Sequence, residues 1–539
     1  MSGLAATSPW WRRWSVLRRW VQLVCLLGFF WLVVATATSA AARFAVSDLA
    51  WLPFRLDPLV FVPALIAGTI GVTLLLWMMG AVLFAVVFGR AFCGWICPLG
   101  TMLDAVRWML TPLSKRIHRH TNTRTLGWLG SFAQFPLVLL IALMLAAGLG
   151  SPLLGVFEPM ALVERAAATA VMPLSERITK QVRESERPNV DHVPAPGFID
   201  DYRFIGAPVR QFQATYATGW IAAVILGVIL AAELIMPRFW CRALCPSGAL
   251  LGLFARWSLV RRLPFGTCAS CRVCVDRCHM GAFTPAGKLI PSACTACMSC
   301  LDVCPTGSAQ VKPALVMPRI GPDITRRGLL AAGLAGAAVP LLGGSVRAQP
   351  HPADPTCLRP PGVSEGGDDQ FLEACVRCGA CVQACPTHGL QPVLLEDGIN
   401  GLFAPRLVPR QGPCEHACNA CSSVCPTAAI PLMDLVTKQR QRIGLAVHDR
   451  RRCLPWSGGG ECRVCWEHCP VAGKAITLKM GFSDVGQAVP LPGVDAEKCV
   501  GCGTCEFVCP IEGAAGITVV DRAAAEQVRK RIQTPRSRP

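Results

Sequence analysis

Residues 294–305 read CTACMSCLDVCP, with Cys294, Cys297, Cys300 and Cys304 followed by Pro305. A C-x2-C-x2-C loop wraps three corners of a compact cubane within one tight turn of backbone. A fourth cysteine three residues on, before proline, leaves that loop and reaches the core held by a partner motif. Zinc ribbons use two separated C-x2-C knuckles and have no use for a third cysteine in the same loop. Disulfides need no such spacing. The stretch therefore reads as half of a small module that binds two [4Fe–4S] clusters.

The quartet recurs on both sides. Upstream stand Cys268, Cys271, Cys274 and Cys278, with His279 where proline is usual. Downstream come Cys375, Cys378, Cys381 and Cys385, then Cys414, Cys418, Cys421 and Cys425 with one extra residue in the first gap. Cys453, Cys462, Cys465 and Cys469 follow with a much longer first gap, and Cys499, Cys502, Cys505 and Cys509 close the series. Quartets work in pairs, so six make three small α+β ferredoxin-like modules and six clusters. In the first module, Cys268, Cys271, Cys274 and Cys304 hold one cluster, and Cys294, Cys297, Cys300 and Cys278 the other. For the remaining four quartets spacing alone does not decide the pairing. The expectation is a nested order, first with last and second with third.

The 539 residues suffice for two or three domains. Just over half are apolar, with a mean hydropathy of +0.43. Four stretches reach the roughly 20 apolar residues a bilayer needs: Val21–Ala42, Val60–Phe88, Leu126–Leu154 and Tyr216–Met236. Only the fourth carries a charge, Glu233. Arginines precede the first stretch, crowd the segment between the second and third, and follow the fourth. Positive loops stay in the cytoplasm, which puts the N-terminus and the chain after the fourth stretch there. The net charge of +18 is then topological, and nucleic acid is not expected as a partner.

Four further cysteines form two C-x3-C-P pairs, Cys93–Cys97 and Cys241–Cys245, each just past the cytoplasmic end of a predicted span. Two pairs on one membrane face read as a four-thiolate site or a redox-active dithiol; structural thiols at helix ends are the plainer reading. Cys25, within the first span, and Cys357, in a Pro-rich linker, read as incidental. Between the halves, Arg326-Arg327 precedes an Ala/Gly/Leu run to Gly344 and then Val346-Arg347-Ala348, the layout of a twin-arginine export signal or anchor. An Ala/Gly-rich linker is the alternative.

FCGWICPLG, CRALCPSGAL and the module through CMSCLDVCPTG resemble NapH-type membrane ferredoxins. CVRCGACVQACPT, ECRVCWEHCPVAGKAI and CVGCGTCEFVCP resemble the NapG/MauM type of four-cluster ferredoxin. Here the two types stand in one chain. The resemblance implies a quinol dehydrogenase component of the bacterial inner membrane, passing electrons from the quinone pool to a periplasmic reductase or c-type cytochrome. The domains expected are a four-helix membrane domain (1–263), a cytoplasmic two-cluster module (264–312), a signal or anchor with linker (313–362), a periplasmic four-cluster domain (363–525) and a basic tail (526–539).

Quinol oxidation also needs proton acceptors. Glu233 is the candidate, because a carboxyl within a span is costly and commonly functional; Glu158, past the third span on the opposite face, is second. All nine histidines lie outside the spans, so haem b is not expected. Nor is flavin or NAD, since no Gly-rich dinucleotide turn is visible. Two other functions fit the residues: a maturation factor that reduces a metal at the C-x3-C-P thiols, and an electron-transfer subunit with no quinol site of its own.

Overall fold

The computed structural model describes residues 14–38, 52–120, 134–175, 177–178, 216, 219–264, 271–284, 287–306, 308–313, 324–343, 356–363 and 368–533. The chain divides into two compact units. The first comprises Met1–Ala166, Ile221–Ala348 and Glu373–Cys378; the second comprises Ala167–Trp220, Gln349–Leu372 and Gly379–Pro539.

The first unit is largely helical. Its helices are α1 (Trp14–Thr38), α2 (Val72–Phe88), α3 (Pro98–His120), α4 (Phe135–Gly148), α5 (Pro159–Ala166), α6 (Gly219–Ala231), α7 (Pro246–Ala255) and α8 (Arg326–Gly343). Each predicted span contains an apolar helix. Among the described residues, however, only Trp14–Thr36 is by length and composition able to cross a bilayer, and the other apolar helices are shorter. The predicted Val60–Phe88 span is broken. Gly68 takes a φ of +70°, and Gly71 stands extended ahead of α2, so the run splits into Val62–Ile66 and α2. The first helix also starts earlier than expected, taking in Arg18 and Arg19.

Leu59, Val62, Leu140, Leu143 and Leu154 form a buried cluster under α4, with Leu250 and Leu253 of α7 packed against it. Large apolar side chains also point outward at helical spacing: Trp20, Val24, Leu27 and Trp31 on α1, and Val72, Leu76, Met79 and Leu83 on α2. Helix α8 lies along α4, where a Cβ at Gly336 would stand 2.7 Å from the Ala142 carbonyl. The two helices run parallel from a shared start, at which the Thr325 N–H and hydroxyl both donate to Gln134 Oε1, at 3.1 and 3.0 Å.

One polar node ties α1, α3 and the turn after α6 together. Asp104 on α3 accepts from Arg238 Nη2 at 2.7 Å and Nε at 3.0 Å, from Gln22 at 3.0 Å, and faces Arg18 at 3.4 Å. Arg238 is 1% exposed. Burial alone would raise the Asp104 carboxyl, but Arg238 and Arg18 hold it well below the usual carboxylate range.

Short two-stranded sheets close the cysteine-rich regions. In the first unit β1 (Val260–Pro264) pairs antiparallel with β2 (Ala309–Pro313), so the module begins slightly before residue 264. In the second unit the pairs are β3 (Leu390–Pro392) with β4 (Pro405–Leu407), β5 (Leu445–His448) with β8 (Ile517–Val520), and β6 (Ile476–Phe482) with β7 (Ala488–Val494). Two boundaries move here. Thr356–Val363 is part of the fold: Leu358 bridges Leu407, and Cys357 is buried with its thiol 3.0 Å from Asp397 Oδ2. Part of the expected tail is a helix, Ala525–Gln533.

Asp104→Asn strands a buried guanidinium and should cost about 3 kcal/mol or more, read as a drop in thermal unfolding temperature in detergent. Because the folded carboxyl titrates below its unfolded value, the stabilisation is present above about pH 4 and fades as pH falls through the lowered folded value. In the variant that acid-dependent loss should shrink.

Candidate iron–sulphur sites

The quartets at 294–304, 375–385 and 499–509 each fold as a turn around the middle cysteine. Met298 follows Cys297 at a φ of +58°, and Ala296 precedes it at +49°. Arg377 and Gly379 flank Cys378 at +58° and +86°, and Gly501 and Gly503 flank Cys502 at +72° and +84°. These left-handed residues reverse the chain around the middle cysteine. At Gly503 glycine is needed twice over, since a Cβ would also sit 2.5 Å from Pro409 Cβ. A single helical turn then carries the third cysteine, as in Ser299–Asp302, Ala380–Ala384 and Thr504–Phe507.

Three cavities show how the quartets combine. In the first unit a cavity is lined by Cys294, Cys297, Cys300 and Cys278. In the second unit one is lined by Cys414, Cys418, Cys421 and Cys385, and another by Cys453, Cys462, Cys465 and Cys509. Each joins three cysteines of one quartet to the last cysteine of another. For the first module this is the expected exchange; Cys268 lies outside the described residues, which leaves Cys271, Cys274 and Cys304 as the described part of the other set. In the second unit the nested order is wrong and neighbouring quartets pair. The cause is local. The β3–β4 hairpin lies between Cys385 and Cys414 and folds one quartet back on the next, and β6–β7 does the same between Cys469 and Cys499. The two modules also meet, because the Cys414 N–H donates to the Cys502 carbonyl at 2.8 Å.

The donors suit a multi-iron core. Burial, with neighbouring thiols adding to it, pushes Cys294 up to about 11 and Cys414, Cys453 and Cys465 up to about 12. Four such thiols become thiolates only against concentrated positive charge, which iron supplies. Backbone N–H groups point at sulphur: Ala282 to Cys278, Ile430 to Cys425, Ala475 to Cys469 and Gly516 to Cys509, at 3.3–3.4 Å. Such bonds favour the reduced cluster and raise its potential. Threonines after the C-P step add hydroxyls, Thr306 at 3.6 Å from Cys304 and Thr387 at 3.4 Å from Cys385. The sequence reading passed over them, although C-P-T occurs at 304–306, 385–387 and 425–427.

The C-x3-C-P cysteines are all buried, and their thiols lie within electrostatic reach of one another: Cys97 feels Cys93 and Cys241, and Cys245 feels Cys241 and Cys93. Cys245 caps α7, its Sγ accepting from the Gly248 N–H at 3.2 Å. Arg90 spans from here to the first module, donating to the Cys241 carbonyl at 3.4 Å and the Ser292 carbonyl at 3.1 Å. Trp95 Nε1 reaches the Ala296 carbonyl at 2.9 Å. The Cys294–Cys300 loop is thereby docked on the segment that carries Cys93 and Cys97. Glu233 is buried, accepts the Arg238 backbone N–H at 2.7 Å and faces Arg107 at 3.9 Å.

A methylamine utilization ferredoxin-type protein MauM from Methylorubrum extorquens is 37% identical over 205 residues, 37% of this chain and 90% of that protein. Ferredoxin-type protein NapG from Escherichia coli is 37% identical over 212 residues, 39% of this chain and 87% of its own length. The chain belongs to the NapG/MauM family of ferredoxin-type proteins. It is thus an iron–sulphur electron-transfer protein that binds [4Fe–4S] clusters. The methylamine utilization ferredoxin-type protein MauN from M. extorquens is 27% identical over 292 residues, 53% of this chain and 80% of that protein. Families described as 4Fe-4S binding domain match 265–281 with 291–307, 371–391 and 491–515. Another of that description matches 70–120 and 218–264, the segments with the C-x3-C-P pairs. No solved structure matches.

The pairing has a direct test. Cys385→Ser and Cys421→Ser should remove the same component from the electron paramagnetic resonance spectrum of the reduced protein. Cys385→Ser and Cys502→Ser should remove different ones. A nested order would make Cys385 track Cys502 instead.

Proposed function

We propose that this chain is a membrane-bound electron carrier of the bacterial inner membrane that oxidises quinol and delivers electrons to a periplasmic reductase or c-type cytochrome. The observation that carries the reading is the docking of the Cys294–Cys300 loop on the C-x3-C-P segment, inside a unit whose helices turn apolar faces outward. Exposed stripes of Trp, Leu and Val suit a bilayer better than water. The printed names of the relatives, ferredoxin-type proteins of methylamine utilization and of the NapG type, support redox transfer as the role.

When bound, the clusters take up and release single electrons. The protein's residues do the rest. Buried cysteines exclude water from the core, N–H and hydroxyl groups stabilise charge on sulphur, and Arg90 and Arg238 place positive charge around the thiols at 93, 97, 241 and 245. We assign those four thiols to a redox centre within the membrane half, and six clusters to the six quartets. Glu233 remains a candidate for quinol deprotonation, although its bond to the Arg238 backbone and its ion pair with Arg107 also give it a structural role.

In this reading α8 stays in the mature protein, held by its packing on α4 rather than as a bilayer span of its own. Its 18 residues span about 27 Å, it runs parallel to α4, and it packs closely through Gly336. Arg326 and Arg327 stand at its start, while Val346–Ala348 lie outside the described residues. Export of the cluster domain would then leave a single chain carrying peptides from both sides of residue 348 on mass measurement. A fragment beginning after residue 348 would show a cleaved signal instead.

Electron paramagnetic resonance on the anaerobic protein tests the main reading. Addition of a menaquinol analogue should produce reduced-cluster signals, with dithionite as the control. Signals with dithionite alone would favour the partner-dependent or metal-reducing functions.

A further inference from the structure

Two carboxyls of the first unit are fully enclosed side by side. Asp57 is 0% exposed and Glu158 1%, and their side chains lie within reach of each other's charge. Asp57 Oδ1 accepts from the Leu59 N–H at 3.0 Å, capping the turn Pro58–Phe61, and Oδ2 accepts from Ser247 Oγ at 2.6 Å. Glu158 caps α5, accepting from the Met160 N–H at 3.0 Å and from the Ala161 N–H. Every one of these backbone and hydroxyl donors is neutral. Two carboxylates within reach of each other and out of water cannot both stay ionised. Burial raises both groups, and the Asp57 charge raises Glu158 further.

The expected topology put Glu158 on the face opposite the C-x3-C-P pairs; the structure instead sets the Asp57–Glu158 pair beside one of them, and that location gives the pair a use. Ser247 stands two residues after Cys245 at the start of α7, so the hydroxyl that holds Asp57 belongs to the C-x3-C-P segment. The Asp57 charge is felt at Cys93 and Cys97, and Arg165 feels Glu158. Neither carboxyl is needed for the helix caps alone, since a neutral Asn or Ser would serve there.

We propose that Asp57 and Glu158 form a proton-accepting site, sharing one proton at rest and binding a second as quinol is oxidised. The proposal rests on the quinol reading for its donor. Two O–H bonds of the quinol break and quinone forms. Its two electrons reduce two one-electron acceptors of the iron–sulphur class, one proton binds the remaining carboxylate of the pair, and the other leaves to water.

The test is redox-difference infrared spectroscopy on the full-length anaerobic protein, comparing wild type with Glu158→Gln, Asp57→Asn and Ser247→Ala. A protonated-carboxyl stretch should grow on reduction with dithionite and be absent from both amide variants. In Ser247→Ala, which keeps both acids, it should persist but shift. Reduction by the menaquinol analogue should slow by about a hundredfold in the amide variants, with dithionite-reduced cluster spectra unchanged. A carboxyl band that survives in both amide variants, or ignores reduction, overturns the proposal, and wild-type menaquinol kinetics alongside that result would leave the quinol reading standing. Conversely, a dithionite-responsive band lost in the variants, with no reduction by menaquinol even in wild type, supports the proton site and removes quinol as its donor.

Discussion

Mutual repulsion among buried thiolates is the constraint on which the rest of this structure depends. Around each cavity, burial and neighbouring sulphur both oppose ionisation, so the sets are stable as thiolates only around a cationic core. Because the last cysteine of one quartet lines the cavity of another, a cluster held there would cross-link two stretches of chain. Assembly of iron and folding of the modules are then one process, and the two-stranded sheets serve to bring the quartets into reach. The contact between the Cys414 amide and the Cys502 carbonyl places the two modules of the second unit against each other, as a carrier with several clusters requires.

In the first unit the organising element is a buried guanidinium. Arg238 is held by Asp104 and donates at 3.2 Å to the Cys93 carbonyl, so the ion pair that joins the helices also positions one of the C-x3-C-P segments. Arg90 performs the corresponding task on the other side, between Cys241 and the loop of the first module. Two fixed cations thus lie beside four buried thiols. A charge change at that site would be felt by the cluster loop docked on it, which is the physical link between the two halves of the unit.

Much of the chemistry was legible in the cysteine spacing, since a cubane dictates how many residues separate its ligands. In the first module the cavity lining groups Cys278 with the 294–300 loop. Pairing in the second unit was not legible, because it depends on hairpins at 390–407 and 476–494 whose strands are short and interrupted by Pro392, Pro405, Pro490 and Pro492. Hydropathy located apolar helices but overstated their length: glycines at 68 and 71 interrupt a run that a window average treats as continuous. Cys357 looked like part of a linker, yet it is buried beside Asp397. The Asp57–Glu158 pair was hidden for another reason. Residues a hundred positions apart, each ordinary in its own segment, acquire their character only when the fold encloses them together.

The central claim is that six quartets hold six cubanes. Iron and acid-labile sulphide per chain, measured on anaerobically purified full-length protein, test it most directly. The account predicts about 24 of each from the six sets of four. A plateau near 16 of each, or stoichiometric zinc in place of iron, would contradict it.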